Sequence, residues 1–496
     1  VMNGAGMLLL DGENLTLDAL AKIALNDGDL DLTKSAWDRV RKGRDIVDAA
    51  MQGGKAFYGI NTGVGSQKDR RLQAEEIEAF NAAVIVSEST NLPGPSFEEE
   101  VVRAALVVLL NNAATGRLGI RPELVHHMLG FFRTGQMPEI RRNISVGGSD
   151  LGPLAQLARA FLESPQDHQG VGSFRLAAKE AVSLINNNSF AIAHGAIVLN
   201  QAAHLLRAHD LATAVSLEAH RGNLSYLRPE MAACCSNEHQ ERSFEAIRRA
   251  LAGSQLWAPE NWRELHDPLS FRFAMRVHGA VNMAHDAASR AFQGDLNCVC
   301  DNPVVSFELG EIVTGINMDS TPLTCTMDML RQSLAMAAST SFERATRVQN
   351  PALSGLPAAF ADPERAESGV QNMVIPHLTA ARMAELRSLS APVLLECPYA
   401  IVDGVIDVSG MAPLSVQRTE EVLDIGWLIV ASEIVIALWA IKLRGLPRES
   451  LGAGVRNVYD QVGPLLPMGR EGQYIFDFCP VLDAVKTLVT ETGDPC

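Results

Sequence analysis

The chain has 496 residues, 47% hydrophobic but only 5% aromatic, and its 42 basic against 58 acidic side chains give a formal net charge of −16. An acidic surface of this kind argues against nucleic acid or an anionic membrane as partner. The length would fit roughly three domains of ~150 residues, yet no Gly-, Ser- or Pro-rich linker, charge block or low-complexity tract divides it.

The eight cysteines are too few for a disulfide scaffold, and Cys298-Val299-Cys300 lacks the second ligand pair of a zinc site. Buried thiols, no metal and a reducing, cytoplasmic compartment are expected. The first residues, Val1-Met2-Asn3-Gly4, carry no basic stretch followed by an apolar core, so no signal peptide is expected.

In chain order, Tyr58-Gly59-Ile60-Asn61-Thr62-Gly63-Val64-Gly65 sets three glycines among polar residues, a loop that presents Tyr58. A phosphate-loop reading fails because no Lys-Ser/Thr follows at the needed spacing. Residues 97–115 open with three glutamates, which suit a helix N-terminus, and continue as an apolar helix. Residues 145–154, SVGGSDLGPL, form a small-residue loop with Ser149 between glycine and aspartate, tight enough for a backbone to react with itself. At 184–189 the amides of Asn186, Asn187 and Asn188 interrupt an apolar helical run.

His266-Asp267-Pro268-Leu269-Ser270-Phe271-Arg272 and Asp301-Asn302-Pro303 are further polar insertions, and residues 311–314 read as one arm of a short hairpin. Residues 323–348 and 415–445 predict long helices. The second is apolar on nearly every face, but Glu433 interrupts its run from Gly426 to Ile441, which is shorter than the ~20 residues a membrane span needs. A helix buried on all sides, in a bundle or between subunits, is the better reading. The sum is a mainly α, long-helix bundle. Its expected division is an N-terminal domain, 1–190, with the Tyr58 and serine loops, and a central and C-terminal helical bundle, 191–496. Singly, each polar segment has a bland reading as turn, cap or satisfied core amide.

Together, in order and spacing, they resemble the histidine/phenylalanine ammonia-lyase family over nearly the whole chain, from residue 15 to residue 445. The resemblance is carried by YGINTGVG, the SVG…DLGPLAQLA loop, the LIN segment after Lys179-Glu180, HDPLSFR…RVHG, CDNPVV and FERATRVQNPALSGLP. It implies the fumarase/aspartase-like fold of the ammonia-lyase superfamily, a small-molecule substrate, and a homotetramer whose active sites draw on more than one subunit. It also implies that Tyr58 is the acid/base residue, Arg272 the partner of the substrate carboxylate, and Asn186 the contact for electrophile or substrate amine. A guanidinium fork suits a planar carboxylate. A phenol serves as a base only where its ordinary pKa near 10 is lowered by its surroundings.

Other positions depart from the family. Its glutamine before Asp-Pro is His266, its second active-site tyrosine is Leu269, and its ring-selectivity position is Asn81. Its Phe-His pair is Met318-Asp319, and its Gln-Glu segment has no clear counterpart, leaving Asp403 and Asp407 as the nearest carboxylates. The family's reacting triplet, Ala-Ser-Gly followed by Asp-Leu, builds a methylidene-imidazolone electrophile. Here only Gly148 and Ser149 stand between Gly147 and Asp150, so one residue is missing and the closing glycine is gone. Asp150 would carry a Cβ into the compression that glycine permits.

Without that electrophile, a family member needs a substrate already activated for elimination. The leading expectation is β-elimination of an amine from an amino-acid-derived carboxylate, with no prosthetic group, as in ergothionase-like lyases that expel trimethylamine from a histidine betaine. Tyr58, Ser149, Asn186 and Arg272 are the expected catalytic residues. Asn81, Gly148, His266, Leu269, Met318 and Asp407 are expected at the substrate. A conventional ammonia-lyase or aminomutase, a divergent cyclase, and a non-catalytic carboxylate-binding relative stay open as alternatives.

Overall fold

The computed structural model describes residues 7–25, 28–163, 174–362, 364–365, 367–396, 400–468 and 475–490; Val1–Gly4, Cys397 and Cys496, weighed above, lie outside them. Helical spacing of apolar residues is realised from the N-terminus as α1 (Leu17–Leu25), α2 (Lys34–Gln52), α3 (Ile77–Glu88), α4 (Glu99–Ala114), α5 (Pro122–Arg133), α6 (Leu151–Glu163), α7 (Glu180–Ile185) and α8 (Ser189–His220). There follow α9 (Glu238–Ala250), α10 (Leu269–Arg272), α11 (Ala274–Leu296), α12 (Thr321–Gln349), α13 (Pro351–Ser354), α14 (Val370–Leu389), α15 (Ala412–Leu443), α16 (Ala453–Gln461) and α17 (Cys479–Thr490). The protein is mainly α, as its sequence implied.

The helix expected at 97–115 is α4. Glu99 and Glu100 lie in its first turn against the positive end of the helix dipole, and every residue from Val101 to Ala114 is buried. The run of amides at 186–188 separates α7 from α8. The two longest expected helices are α12 and α15. In α15, 89% of the most apolar window is buried within the protein, the condition of a core helix. Strands are short: β1 (Leu8–Leu10) pairs in parallel with β2 (Leu30–Leu32), and β3 (Val304–Ser306) pairs with β4 (Glu311–Val313) in the expected hairpin, Val304 opposite Val313.

The chain forms two compact units, and both are discontinuous in sequence, unlike the consecutive spans 1–190 and 191–496. The first comprises residues 1–200, 288–327 and 392–417; the second comprises 201–287, 328–391 and 418–496. The reason is covalent: α8, α11, α12 and α15 each contribute residues to both units, so no single cut separates them.

In the first unit α4 packs against α1, α2 and α5, while α3, α6 and α7 pack on one another. A smaller core of Val47, Ile60, Ala178, Val305 and Ile312 lies beneath the Tyr58 loop and the β3–β4 hairpin. Close approach is enforced where α2 meets the turn after α4. A Cβ on Gly43 would stand 1.9 Å from the Gly116 carbonyl oxygen. Gly43→Ala therefore has to move backbone. It is expected to destabilise the protein by about 1–3 kcal/mol in chemical denaturation, and an unchanged midpoint would refute this packing.

Candidate active site

The Tyr58 loop is built by its own side chains. Asn61 accepts the Phe57 N–H at 2.8 Å and donates to the Lys55 carbonyl at 2.8 Å, which closes the turn around Tyr58. Gly59 adopts φ +62, and a Cβ there would stand 2.6 Å from Val182 of α7, so only glycine lets the loop sit on that helix. The half-buried Tyr58 oxygen accepts the Gly65 N–H at 3.1 Å, which fixes the direction of the phenol.

The serine turn is held from three sides. Ser149 adopts φ +76, a left-handed conformation uncommon for a residue with a side chain. Its N–H donates to the Met318 carbonyl at 3.2 Å, while Ser320 donates through N–H (3.2 Å) and Oγ (2.7 Å) to the Gly147 carbonyl. The Met411 N–H donates to the Val146 carbonyl at 3.0 Å, which brings the start of α15 against the same turn. The Ser149 hydroxyl donates to Asn186 Oδ1 at 2.8 Å, and Asn186 Nδ2 donates in turn to the Asn302 carbonyl at 2.9 Å.

The three consecutive asparagines have separate tasks. Asn186 holds the serine hydroxyl. The Asn187 carbonyl accepts the Asp150 N–H at 2.7 Å, and its side chain accepts the Ser189 N–H at the start of α8. Asn188 Nδ2 donates to the Met318 carbonyl at 3.1 Å, the same oxygen that receives the Ser149 N–H. An otherwise apolar run is broken here because the turn opposite it needs this set of donors and acceptors.

Asp150 is fully buried. Its Oδ2 accepts the Ala191 N–H at 2.8 Å in the first turn of α8, and its Oδ1 accepts the Ser145 hydroxyl at 2.8 Å. Its own carbonyl receives the Leu154 N–H at 3.0 Å, which starts α6. Burial nevertheless pushes the carboxyl up to about 6, with the N–H groups of α8 and the Ser145 hydroxyl opposing. Closing a ring across Gly148-Ser149-Asp150 would require the Asp150 nitrogen to leave the Asn187 carbonyl and attack the Gly148 carbonyl. The residue that must move is thus the one that joins α6 to the N-terminus of α8.

Below this turn lies a buried cluster. Lys179 Nζ donates to Asp301 Oδ2 at 2.6 Å and to Ser183 Oγ at 2.8 Å, and neither Lys179 nor Asp301 is exposed. Burial pushes the Asp301 carboxyl up and the Lys179 ammonium down, and each holds the other against that trend. The pair anchors Asp301-Asn302, whose carbonyl positions Asn186.

The segment 401–412 connects the two loops. A Cβ on Gly65 would meet Val402 at 2.8 Å, and one on Gly148 would meet Ser409 at 3.7 Å. The exposed Asp407 lies between these two contacts. Gly148, Ser149, Asn186 and the Met318 carbonyl are thus joined in one turn, and Tyr58 and Asp407 lie on other segments of the same first unit. Asn81 is held by a separate set of bonds. It is fully buried in α3, accepts the Ala181 N–H at 3.0 Å and donates to the Ile77 carbonyl at 2.8 Å, so its amide fixes α7 to α3.

Arg272, His266 and Leu269 belong to the second unit. His266 and Leu269 are exposed. Arg272 is half-buried at the end of α10, and its guanidinium makes no hydrogen bond among the described residues. Asp267 is buried and accepts the Asn223 N–H at 2.8 Å; burial pushes its carboxyl up to about 6. Sequence reasoning did not single out Asp150 as an anchor, nor Ser320, Lys179 or Ser183. The one available signal was a charged or hydroxyl side chain inside an apolar run. Among the described residues no group of His, Cys, Asp and Glu is arranged to hold a metal ion.

Residues 15–463 match the profile of a family described as aromatic amino acid lyase. The chain belongs to that family. It is 28% identical to the histidine ammonia-lyase of Caldanaerobacter subterraneus subsp. tengcongensis, an alignment covering 92% of this chain and 93% of that one. Among solved structures it resembles the ergothioneine-degrading enzyme ergothionase from Treponema denticola, in complex with desmethyl-ergothioneine sulfonic acid, with a TM-score of 0.90, 27% identity and 98% of both chains covered. It also resembles histidine ammonia-lyase from Trypanosoma cruzi, with a TM-score of 0.84, 27% identity and 98% and 93% covered. This aromatic amino acid lyase is accordingly an ammonia-lyase-like carbon–nitrogen lyase.

The environment of Asp150 in this lyase has a measurable consequence. A carboxyl raised from 3.8 to about 6 contributes stability below its unfolded pKa and loses it as pH rises through about 6. Relative to Asp150→Asn, the wild-type protein should lose about 2 kcal/mol of stability between pH 4 and pH 7, read from denaturation at each pH. A pH-independent difference would contradict the burial of this charge.

Proposed function

We propose that this lyase eliminates an amine from an amino-acid-derived carboxylate without a methylidene-imidazolone group, and that its substrate is a histidine betaine from which trimethylamine departs. The observation that carries the proposal is the anchorage of Asp150. The nitrogen needed for ring closure is bonded to Asn187, and its side chain is tied into α8. In the family pattern a glycine separates the serine from Asp-Leu; here the serine is followed directly by the anchored aspartate. The residues present do not fit the prosthetic group, and the proposed reaction proceeds without it.

The elimination then depends on the substrate. An imidazole ring acidifies the β-carbon, and a quaternary ammonium leaves as a neutral amine. The Tyr58 oxygen, as the base, takes the β-proton; the C–H electron pair forms the Cα=Cβ bond, and the C–N pair leaves on nitrogen. Arg272 holds the carboxylate, and Ser149, held by Asn186, lines the reacting centre with Gly148 and the Met318 carbonyl. His266 and Leu269 present the ring side, and Asp407 faces the departing cation. The ergothioneine-derived ligand of the Treponema denticola enzyme supports this substrate class.

The exposed Leu265, Leu269 and Phe273 beside Arg272 support a homotetramer in which another subunit covers this edge. Free thiols at Cys234, Cys235, Cys298, Cys300, Cys325 and Cys479 support a cytoplasmic setting.

The purified assembly, incubated separately with histidine, phenylalanine and histidine betaine, should release trimethylamine from the betaine and no ammonia from the two amino acids. Ammonia from either would overturn the proposal. Tyr58→Phe should lower kcat by about 100-fold or more with little change in KM.

A further inference from the structure

The segment carrying Arg272 is pinned on one side and open on the other. Asn223 Nδ2 donates to the Leu265 carbonyl at 2.7 Å and the Asn223 N–H to Asp267 at 2.8 Å. Phe271 is fully buried and stacks on His220 with ring centroids 4.7 Å apart. Leu265, His266, Leu269 and Phe273 are exposed. A third pin comes from far along the chain. Arg344 of α12 donates through Nη1 to the Ser270 carbonyl at 3.1 Å, two residues before Arg272.

Arg344 is itself fixed by Glu433 of α15, with Nε to Oε1 at 2.6 Å and Nη2 to Oε2 at 2.9 Å, and both side chains are fully buried. Ser216 donates to Oε1 of Glu433 at 2.6 Å, and Ser341 donates to Oε2. The carboxylate is thus saturated, and the fork has one direction left, toward α10. A buried ion pair is weak as a source of stability, since desolvation offsets the attraction and apolar replacements are often tolerated. What an apolar pair cannot do is hold a backbone carbonyl at a set place.

We propose that Arg344 and Glu433 are positioning residues for substrate recognition: the pair fixes the α10 turn so that Arg272 meets the substrate carboxylate in bidentate geometry. This inference rests on the reading of Arg272 as the carboxylate anchor. The same four helical residues could form without the pair, but the aim of the guanidinium at their end would be lost. A small misplacement of a two-point contact costs much of its strength.

The test uses the assembled enzyme and two probes, 3-(imidazol-4-yl)propionate and its primary amide, with affinities from calorimetry. Arg344→Met combined with Glu433→Leu should retain the wild-type melting behaviour within a few degrees, bind the propionate about tenfold more weakly, and bind the amide unchanged. Arg344→Lys, which keeps the charge but not the fork, should show the same selective loss and decides the matter if the double variant does not fold. For the reaction itself, KM should rise while kcat stays within about twofold. Propionate affinity equal to wild type, or an equal loss for the amide, overturns the positioning role. Arg272→Met separates the two readings: if it leaves propionate affinity unchanged, the anchor assignment fails and the inference fails with it.

Discussion

A buried carboxylate at the start of a helix organises the candidate site. Asp150 receives the Ala191 N–H at the N-terminus of α8 and the Ser145 hydroxyl, while its main chain ends the serine turn and opens α6. Helix N-termini favour an anion there, and burial makes that anion costly unless its donors are all in place. The serine turn can therefore adopt its left-handed conformation only against a complete set of neighbours: Asn187 for the Asp150 N–H, Met318 for the Ser149 N–H, and Ser320 for the Gly147 carbonyl. The chemistry proposed here follows from that constraint. On the proposed reading, a turn whose last residue is committed to two helices stays an open peptide, and the energy for expelling nitrogen comes from the substrate.

The same economy governs both units. In the first, the Lys179–Asp301 pair places Asn302, which places Asn186, which holds the Ser149 hydroxyl. In the second, Glu433 places Arg344, which holds the Ser270 carbonyl two residues before Arg272. In each case a buried charge pair is linked, through neighbouring groups, to a side chain proposed to be catalytic. Such pairs add little net stability; their contribution is to make one geometry the only one available to a short, otherwise pliable segment.

Much of the fold was legible in the sequence because burial leaves a periodic trace. The apolar run behind three glutamates became α4, the long apolar stretches became α12 and α15, and the three amides marked the break between α7 and α8. The discontinuous division into units was not legible, because helices such as α8 and α15 carry no compositional mark where they pass from one unit to the other. Among the candidate residues, Tyr58, Asn186 and Arg272 could be matched to motifs, whereas Asn81 was reached by position alone; in the structure its amide joins Ile77 of α3 to Ala181 of α7. The supporting groups were hidden for a simple reason. Lys179 and Asp301 are 122 residues apart, Arg344 and Glu433 are 89 apart, and Asp150 and Ala191 are 41 apart, separations at which no local pattern links partners. Glu433 left one trace, as the charge that interrupts an apolar helix.

The central claim concerns covalent structure, so the intact mass of the purified protein is its most direct measurement. The account predicts the mass of the unmodified polypeptide, with residues 148–150 recovered as an ordinary peptide after digestion. A mass lower by two waters, with the deficit located at Gly148-Ser149-Asp150, would contradict it.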